Sequence, residues 1–335
     1  MGYLRLSVTD SEEAKRQNGR STPRLFASRL FGSLSASEIE RLIGAFARNG
    51  VAKVRFTGEP LLRDDLLEIV SAAARTPGVH TVALTTNGLR LADLAEELMW
   101  AGLQRVNLDL DTLDRDKFWD LTGQDGLLET LTGLEAALAS GFAAVKVNVV
   151  VRRGVNDWEL PAFCDLARET RAEVRFIELT SHGLSPEAWQ AQYVSASEMR
   201  ARLGALEPLP RRGHASARRY LLPGGGIVGF ISPVSEPFCD GCNRLHVSAT
   251  GKLRPCVHAP FAADLRPLLS RPDLDARLGA ILAHMGHLKQ PRTQPWRKAC
   301  PELAEGFPTC GRTPLPRVHV ARATGLPRTR LRVLH

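Results

Sequence analysis

The sequence of 335 residues predicts an α/β protein, an incomplete (β/α)6 barrel of the TIM type followed by a smaller module of strands. Two observations lead to this prediction. Short segments with a two-residue apolar period alternate with segments in which apolar residues recur at helical spacing. Short linkers join them, and strands that alternate with helices favour a parallel sheet with right-handed crossovers.

The predicted elements follow one another regularly. Residues 4–8 alternate apolar and polar side chains as a strand does, and residues 36–48 show helical spacing behind a Ser35 cap. Further strands are predicted at 51–56, 81–84, 105–110, 144–151 and 173–179. Further helices are predicted at 64–74, 115–121, 127–139 and 158–169. From about Leu206 the pattern changes to short strands with glycine-rich turns, at 220–222 and 228–231.

Three regions follow from this pattern and from the charge distribution: a barrel over 1–204, a module over 205–290 and a basic tail over 291–335. The tail holds nine Lys or Arg and two Glu, which is +7 of the net charge of +8, and seven of the 21 prolines. We predict that it is disordered. The body is nearly neutral and has no apolar run of 18 residues, so we expect a cytoplasmic protein with neither a membrane nor a nucleic acid as its partner.

Three cysteines lie close together in PFCDGCNRLHVSATGKLRPC, at Cys239, Cys242 and Cys256. A C-x2-C pair followed by a third thiol suits an iron–sulfur cluster or a zinc ion, and three protein ligands leave one metal position open. His258 is a candidate fourth ligand for zinc. The spacing alone leaves both metals possible.

The surrounding segment, FISPVSEPFCDGCNRLHVSATGKLRPC, resembles the C-terminal cluster segment of the GTP 3′,8-cyclases, which are radical S-adenosylmethionine (SAM) enzymes. The resemblance extends from about Tyr3 to about Leu288 through motifs in the family's order: YLRLSVTD, KVRFTGEPLLRDDL, ALTTNGLRL, GLQRVNLDLDTLD, VKVNVVVRRGVND and VRFIEL. It implies conversion of GTP to (8S)-3′,8-cyclo-7,8-dihydroguanosine 5′-triphosphate by a SAM-derived radical, in molybdenum cofactor biosynthesis.

For the C-terminal module the resemblance implies one [4Fe-4S] cluster on Cys239, Cys242 and Cys256, with the guanine base of GTP at its open iron. Positions that match the family's GTP contacts are Arg5, Arg55, Thr85, Lys146, Arg244 and His246. Arginine and lysine suit a triphosphate because their donors meet charged oxygens. We expect the module to fold over the barrel mouth, at the C-terminal ends of the strands, with its metal facing Arg5, Arg55 and Lys146.

The chain departs from the family where the first cluster and SAM would bind. The family has C-x3-C-x2-C directly after SVTD, whereas this chain has no cysteine before Cys164. The family's T-G-G-E-P is one glycine short at Gly58, its N-V-S-L-D has Asp109 for the serine, and Thr180 replaces a methionine. Oxygen and nitrogen side chains do not replace three soft thiolates on iron. We therefore predict poor SAM binding and no catalytic turnover.

Two alternatives to an active cyclase remain: a non-catalytic protein that binds GTP and an iron–sulfur cluster, or the product of a decayed or frameshifted gene. The resemblance also implies GTP as the ligand, a homodimer, and cyclic pyranopterin monophosphate synthase as the next pathway enzyme.

Overall fold

The computed structural model describes residues 1–9, 32–181, 183–211, 213–257 and 259–288. Within them, six strands pair side by side in parallel and in chain order. These are β1 (Tyr3–Ser7), β2 (Lys53–Thr57), β3 (Thr81–Thr86), β4 (Arg105–Asp109), β5 (Ala144–Val151) and β6 (Glu173–Glu178). The predicted α/β class and partial barrel are thus confirmed.

Helices cover one face of this sheet. In the described ranges they are α1 (Ala36–Arg48), α2 (Leu66–Arg75), α3 (Leu91–Trp100), α4 (Arg115–Thr122), α5 (Leu127–Ala139), α6 (Leu160–Glu169), α7 (Pro186–Gln192), α8 (Ala196–Leu203) and α9 (Leu274–Leu288). The start of α1 is the predicted one: the Ser35 hydroxyl accepts a hydrogen bond from the Glu38 N–H (3.2 Å), and the Glu38 carboxylate accepts one from the Ser35 N–H (2.8 Å). None of these helices is long and apolar enough to span a membrane.

The strands after residue 205 extend both edges of the same sheet. They are β7 (Glu207–Pro208), β8 (Ala217–Leu221), β9 (Ile227–Ile231), β10 (Arg244–Val247), β11 (Lys252–Arg254) and β12 (Ala263–Asp264). Strand β9 pairs in parallel with β6, and β10 pairs in parallel with β1. The segment 232–243 therefore joins the two edges and runs from the C-terminal end of β9 back to the N-terminal end of β10.

Alternation along the strands separates an apolar face from a polar one. Leu4, Val54 and Phe56 are fully buried, and their face of the sheet packs against the helices. The residues between them, such as Arg5 and Arg55, point to the opposite face, which we call the lumen. The lumen is thus lined by polar side chains that the strands themselves supply.

The turn after β2 requires glycine at position 58. Gly58 has φ +83°, and a Cβ there would lie 2.4 Å from the Thr9 carbonyl oxygen. We expect Gly58→Ala to lower the free energy of unfolding by about 2–5 kcal/mol, from backbone strain and the clash together. Gly141 is the matched control, since it has φ +81° but nothing within 4 Å of its Cβ; Gly141→Ala should cost only about 1–2 kcal/mol. Equal urea midpoints for the two variants would contradict the clash.

Candidate functional site

The predicted GTP contacts lie on the lumen face of neighbouring strands. Arg5 is opposite Arg55 on one side and His246 on the other. Across the sheet, Asn107 of β4 lies between Thr85 and Lys146. Arg244, the first residue of β10, is opposite Tyr3, and its guanidinium lies 5.1 Å from the centre of the Phe238 ring. The fold therefore brings these six predicted residues onto one surface.

The lumen concentrates positive charge. Seven of its basic side chains, which we call the lumen cations, are Arg5, Lys53, Arg55, Arg105, Lys146, Arg175 and Arg244. Burial, together with the nearby charges of Arg55 and Arg105, lowers the pKa of Lys53 to about 7. Burial and the charge of Arg175 lower the pKa of Lys146 to about 7 as well. Cations are this close to one another only where an anion is to be bound or where acids neutralise them.

Within the described lumen, acidic side chains neutralise only part of this positive charge. Glu173 accepts hydrogen bonds from Arg175 Nε (2.7 Å) and Arg219 Nε (3.0 Å), and its carboxylate lies 3.9 Å from Lys146 Nζ. Burial opposes ionisation of Glu173, but the charges of Arg175 and Lys146 lower its pKa. In contrast, the Nε atoms of Arg55 and Arg105 are buried and have no hydrogen-bond partner within the described ranges. Those unsatisfied donors point to an anionic ligand.

Sequence reasoning missed several lumen residues, among them Lys53, Arg105, Asn107 and Arg175. The strand period could have revealed them, because it sets the face on which each side chain lies. Lys53 lies two residues from Arg55, and Asn107 lies between Thr85 and Lys146 in the register. Arg105 and Arg175 lie on the same face of β4 and β6, one step further from the predicted contacts. The resemblance marks only positions that match family contacts, whereas the strand period also shows which other side chains share their face.

The three residues predicted to contact SAM lie at the C-terminal ends of β2, β4 and β6. Gly58 directly follows β2, and the half-buried Thr180 follows β6. Asp109 is the last residue of β4, where its exposed carboxylate accepts a hydrogen bond from Asn148 Nδ2 (2.9 Å). Glu59, beside Gly58, has a left-handed φ of 60° and accepts hydrogen bonds from Thr86 Oγ1 (2.5 Å) and the Asn87 N–H (2.7 Å). This carboxylate fastens the shortened turn to the end of β3.

The cysteine segment lies at the opposite, N-terminal edge of the sheet. Cys239 and Cys242 form a tight turn in which the Cys242 N–H donates to the Cys239 carbonyl (3.0 Å). This turn directly precedes β10, which runs parallel to β1. The expectation that the module covers the C-terminal strand ends was therefore wrong, because the segment 232–243 returns the chain to the other edge before the cysteines occur.

Cys256 reaches the same edge by a different path. Strand β11 is antiparallel to β10, with Arg254 opposite His246, so the chain after β11 comes back toward the start of β10. All three cysteines are partly exposed. Three thiols at one edge have the chemistry of an iron–sulfur site. In the described ranges, however, no three Cys, His, Asp or Glu side chains are close enough together to hold a metal ion.

Several predictions fall outside the described residues. They concern the cysteine-free segment 10–31, the candidate zinc ligand His258 and the basic tail 291–335. The loss of the first cluster's ligands is a property of the sequence itself, since Cys164 is its first cysteine.

Two family models match successive parts of the chain: the Radical SAM superfamily over residues 18–167 and Molybdenum Cofactor Synthesis C over residues 172–295. The crystal structure of Streptococcus suis SuiB bound to S-adenosylmethionine superimposes with a TM-score of 0.51 at 12% identity, covering 83% of this chain and 65% of that one. At that identity the likeness concerns the fold alone.

Curated relatives are much more similar. The chain is 36% identical to the GTP 3′,8-cyclase of Alkaliphilus metalliredigens over 86% of its own length and 90% of the relative's. It is 40% identical to the Aeromonas hydrophila enzyme, covering 80% of this chain and 81% of that one. The Heliobacterium modesticaldum enzyme is 44% identical, over 74% and 78% respectively. With such identity over most of both chains, and both family models in order, the chain belongs to the GTP 3′,8-cyclase family of radical SAM proteins, which acts in molybdenum cofactor biosynthesis.

Proposed function

We propose that this chain binds GTP in the lumen and holds the triphosphate on the lumen cations, without carrying out the family's radical step. The observation behind this proposal is the charge of the lumen, where the Nε atoms of Arg55 and Arg105 are buried and find no hydrogen-bond partner in the part of the chain that the structure describes. A triphosphate has enough negative charge and enough acceptor oxygens to satisfy such donors.

Removal of one central guanidinium tests the triphosphate site. Arg55→Met should weaken GTP binding about 10- to 100-fold in calorimetric titration, because a buried charge-assisted hydrogen bond is lost. Arg75→Met is the matched control: Arg75 is exposed at the end of α2, on the helical side of the sheet, and its loss should leave the affinity unchanged. Equal affinities of the Arg55 and Arg75 variants would remove the basis for the lumen site.

We also propose that Cys239, Cys242 and Cys256 hold one [4Fe-4S] cluster, whose iron would supply a Lewis-acidic ligand position at the N-terminal end of the lumen. The three thiols reach one edge of the sheet but are not gathered there, so binding must draw the cysteine turn and the end of β11 together. Such coupling of local structure to metal binding is common for thiolate sites.

Anaerobic reconstitution should give about four irons per chain and an equal amount of labile sulfide, measured by colorimetric assay and by the absorption of the cluster. Both should be lost when Cys239, Cys242 and Cys256 are replaced together by alanine. Cys164→Ala is the matched control, since Cys164 is buried on α6. One zinc per chain without sulfide would contradict the cluster, and about eight irons would show that a second cluster forms after all.

The first cluster does not fit this chain, because the residues before Cys164 offer no thiolate. SAM cleavage therefore has no place in the proposed function. The homodimer and the hand-over to cyclic pyranopterin monophosphate synthase stay predictions from the family, and the cytoplasmic location stays a prediction from the composition.

A further inference from the structure

Asn107 is a buried amide with only one end satisfied. It lies on β4 and has no exposed surface. Its Nδ2 donates a hydrogen bond to the Leu84 carbonyl oxygen (2.8 Å), which fixes the orientation of the amide, since a carbonyl oxygen could not donate there. Its Oδ1 is buried and has no hydrogen-bond partner among the described residues. Buried polar atoms are nearly always paired, so this acceptor calls for a donor that the described part of the chain does not supply.

A second unsatisfied group lies directly beside it. Thr85 is opposite Asn107 in the β3–β4 register, at the usual separation of about 4.8 Å between neighbouring strands. Thr85 is only 9% exposed, and its Oγ1 is also buried with no hydrogen-bond partner among the residues described. Both residues face the lumen. One ligand atom placed between them could satisfy both.

The pair adjoins the lumen cations. Arg105 precedes Asn107 by two residues on the same face of β4, and Lys146 is the β5 residue opposite Asn107. A ligand whose phosphates lie on the cations thus places its next chemical group near Asn107 and Thr85. In a nucleotide that group is the sugar.

We infer that Asn107 is a specificity-determining residue that accepts a hydrogen bond from a sugar hydroxyl of the bound nucleotide, while Thr85 donates to the same hydroxyl. The inference rests on the proposed binding of GTP in the lumen. A hydroxyl both donates and accepts, as this pair requires. A phosphate oxygen cannot donate to Oδ1, and a base N–H cannot accept from Thr85.

The test compares GTP with 2′-deoxyGTP, 3′-deoxyGTP and inorganic triphosphate by calorimetric titration. The wild-type protein should bind at least one deoxy nucleotide about tenfold or more weakly than GTP, because Oδ1 is then left unpaired in the complex. Asn107→Ala should bind GTP and that deoxy nucleotide equally. Inorganic triphosphate should bind both proteins equally, which also shows that the lumen of the variant is intact.

Thr85→Val removes the second hydroxyl contact with little change of shape and should reduce the same discrimination. The inference is overturned if wild type does not distinguish GTP from either deoxy nucleotide, or if Asn107→Ala keeps the full discrimination. Should Asn107→Ala not fold, the wild-type comparison and Thr85→Val decide. Failure of wild type to bind both GTP and inorganic triphosphate would instead overturn the proposed function, and with it this inference.

Discussion

Incubated with dithionite, SAM and GTP, the reconstituted protein should release no 5′-deoxyadenosine above a no-protein control. Reductive cleavage of SAM needs a [4Fe-4S] cluster in contact with the sulfonium, and the cofactor supplies the difficult chemistry. The segment 10–31, where the family has its three thiolate ligands, holds no cysteine. Enzymes accelerate their reactions by about 10⁶-fold or more, so the expected loss is essentially complete.

The C-terminal cysteines are badly placed to substitute for the missing ones. Cys239 and Cys242 precede β10 at the N-terminal edge of the sheet, whereas Gly58, Asp109 and Thr180 follow strands at the C-terminal edge. A strand of five residues spans about 16 Å. A cluster on those cysteines is therefore separated by the length of the lumen from the residues predicted to contact SAM.

The Heliobacterium modesticaldum relative, which is named a GTP 3′,8-cyclase, is the positive control under the same reductant and iron loading. Detection of 5′-deoxyadenosine by chromatography with this chain, at a rate that depends on protein concentration, would contradict the prediction. It would mean that the ligands of a first cluster come from another source, such as a partner chain.

Local sequence patterns were sufficient for most of the barrel. The six predicted strands all occur, and their bounds lie within two residues of the predicted ones. Helix α3 was not predicted: Arg90 stands at its cap position and makes no side-chain cap hydrogen bond, so the usual start signal is missing. In α1, by contrast, Ser35 and Glu38 form a full capping box, and the predicted and observed bounds agree.

The site could be predicted only in part from the sequence, because its geometry depends on pairing between strands that are far apart in the chain. That β9 joins β6 while β10 joins β1 is a property of the whole sheet, and no local pattern around Cys239 reports it. The prediction of where the cysteines lie was wrong for this reason. In principle the sequence could have predicted the lumen positions of Lys53, Arg105 and Arg175, since the strand period sets the face on which a side chain lies. What the period could not show is that these cations come close enough to change one another's pKa values.

GTP binding should weaken steeply as the pH rises above 7. In the ligand-free protein, burial and the neighbouring arginines hold the pKa values of Lys53 and Lys146 at about 7, and a bound triphosphate must raise both by favouring the charged ammonium. Binding then takes up protons above pH 7, and each lysine can weaken affinity up to about tenfold per pH unit until the pH reaches its raised pKa. Between pH 7 and 9 the combined loss can reach about 10⁴-fold.

Calorimetric titration of GTP at pH 7, 8 and 9, in buffers of different ionisation enthalpy, measures both the affinity and the number of protons taken up. Replacement of both Lys53 and Lys146 by arginine should flatten the pH dependence, because arginine stays charged throughout this range. Lys117→Arg is the matched control: Lys117 pairs with Asp114 and Glu159 beside α4, away from the lumen cations, and should leave the steep dependence intact. In the ligand-free protein the same two lysines affect stability. The unfolded chain binds their protons more tightly than the folded protein does, so the free energy of unfolding should rise from pH 7 toward pH 10. An affinity for GTP that is constant from pH 7 to 9 in the wild-type protein would contradict the placement of the triphosphate beside Lys53 and Lys146.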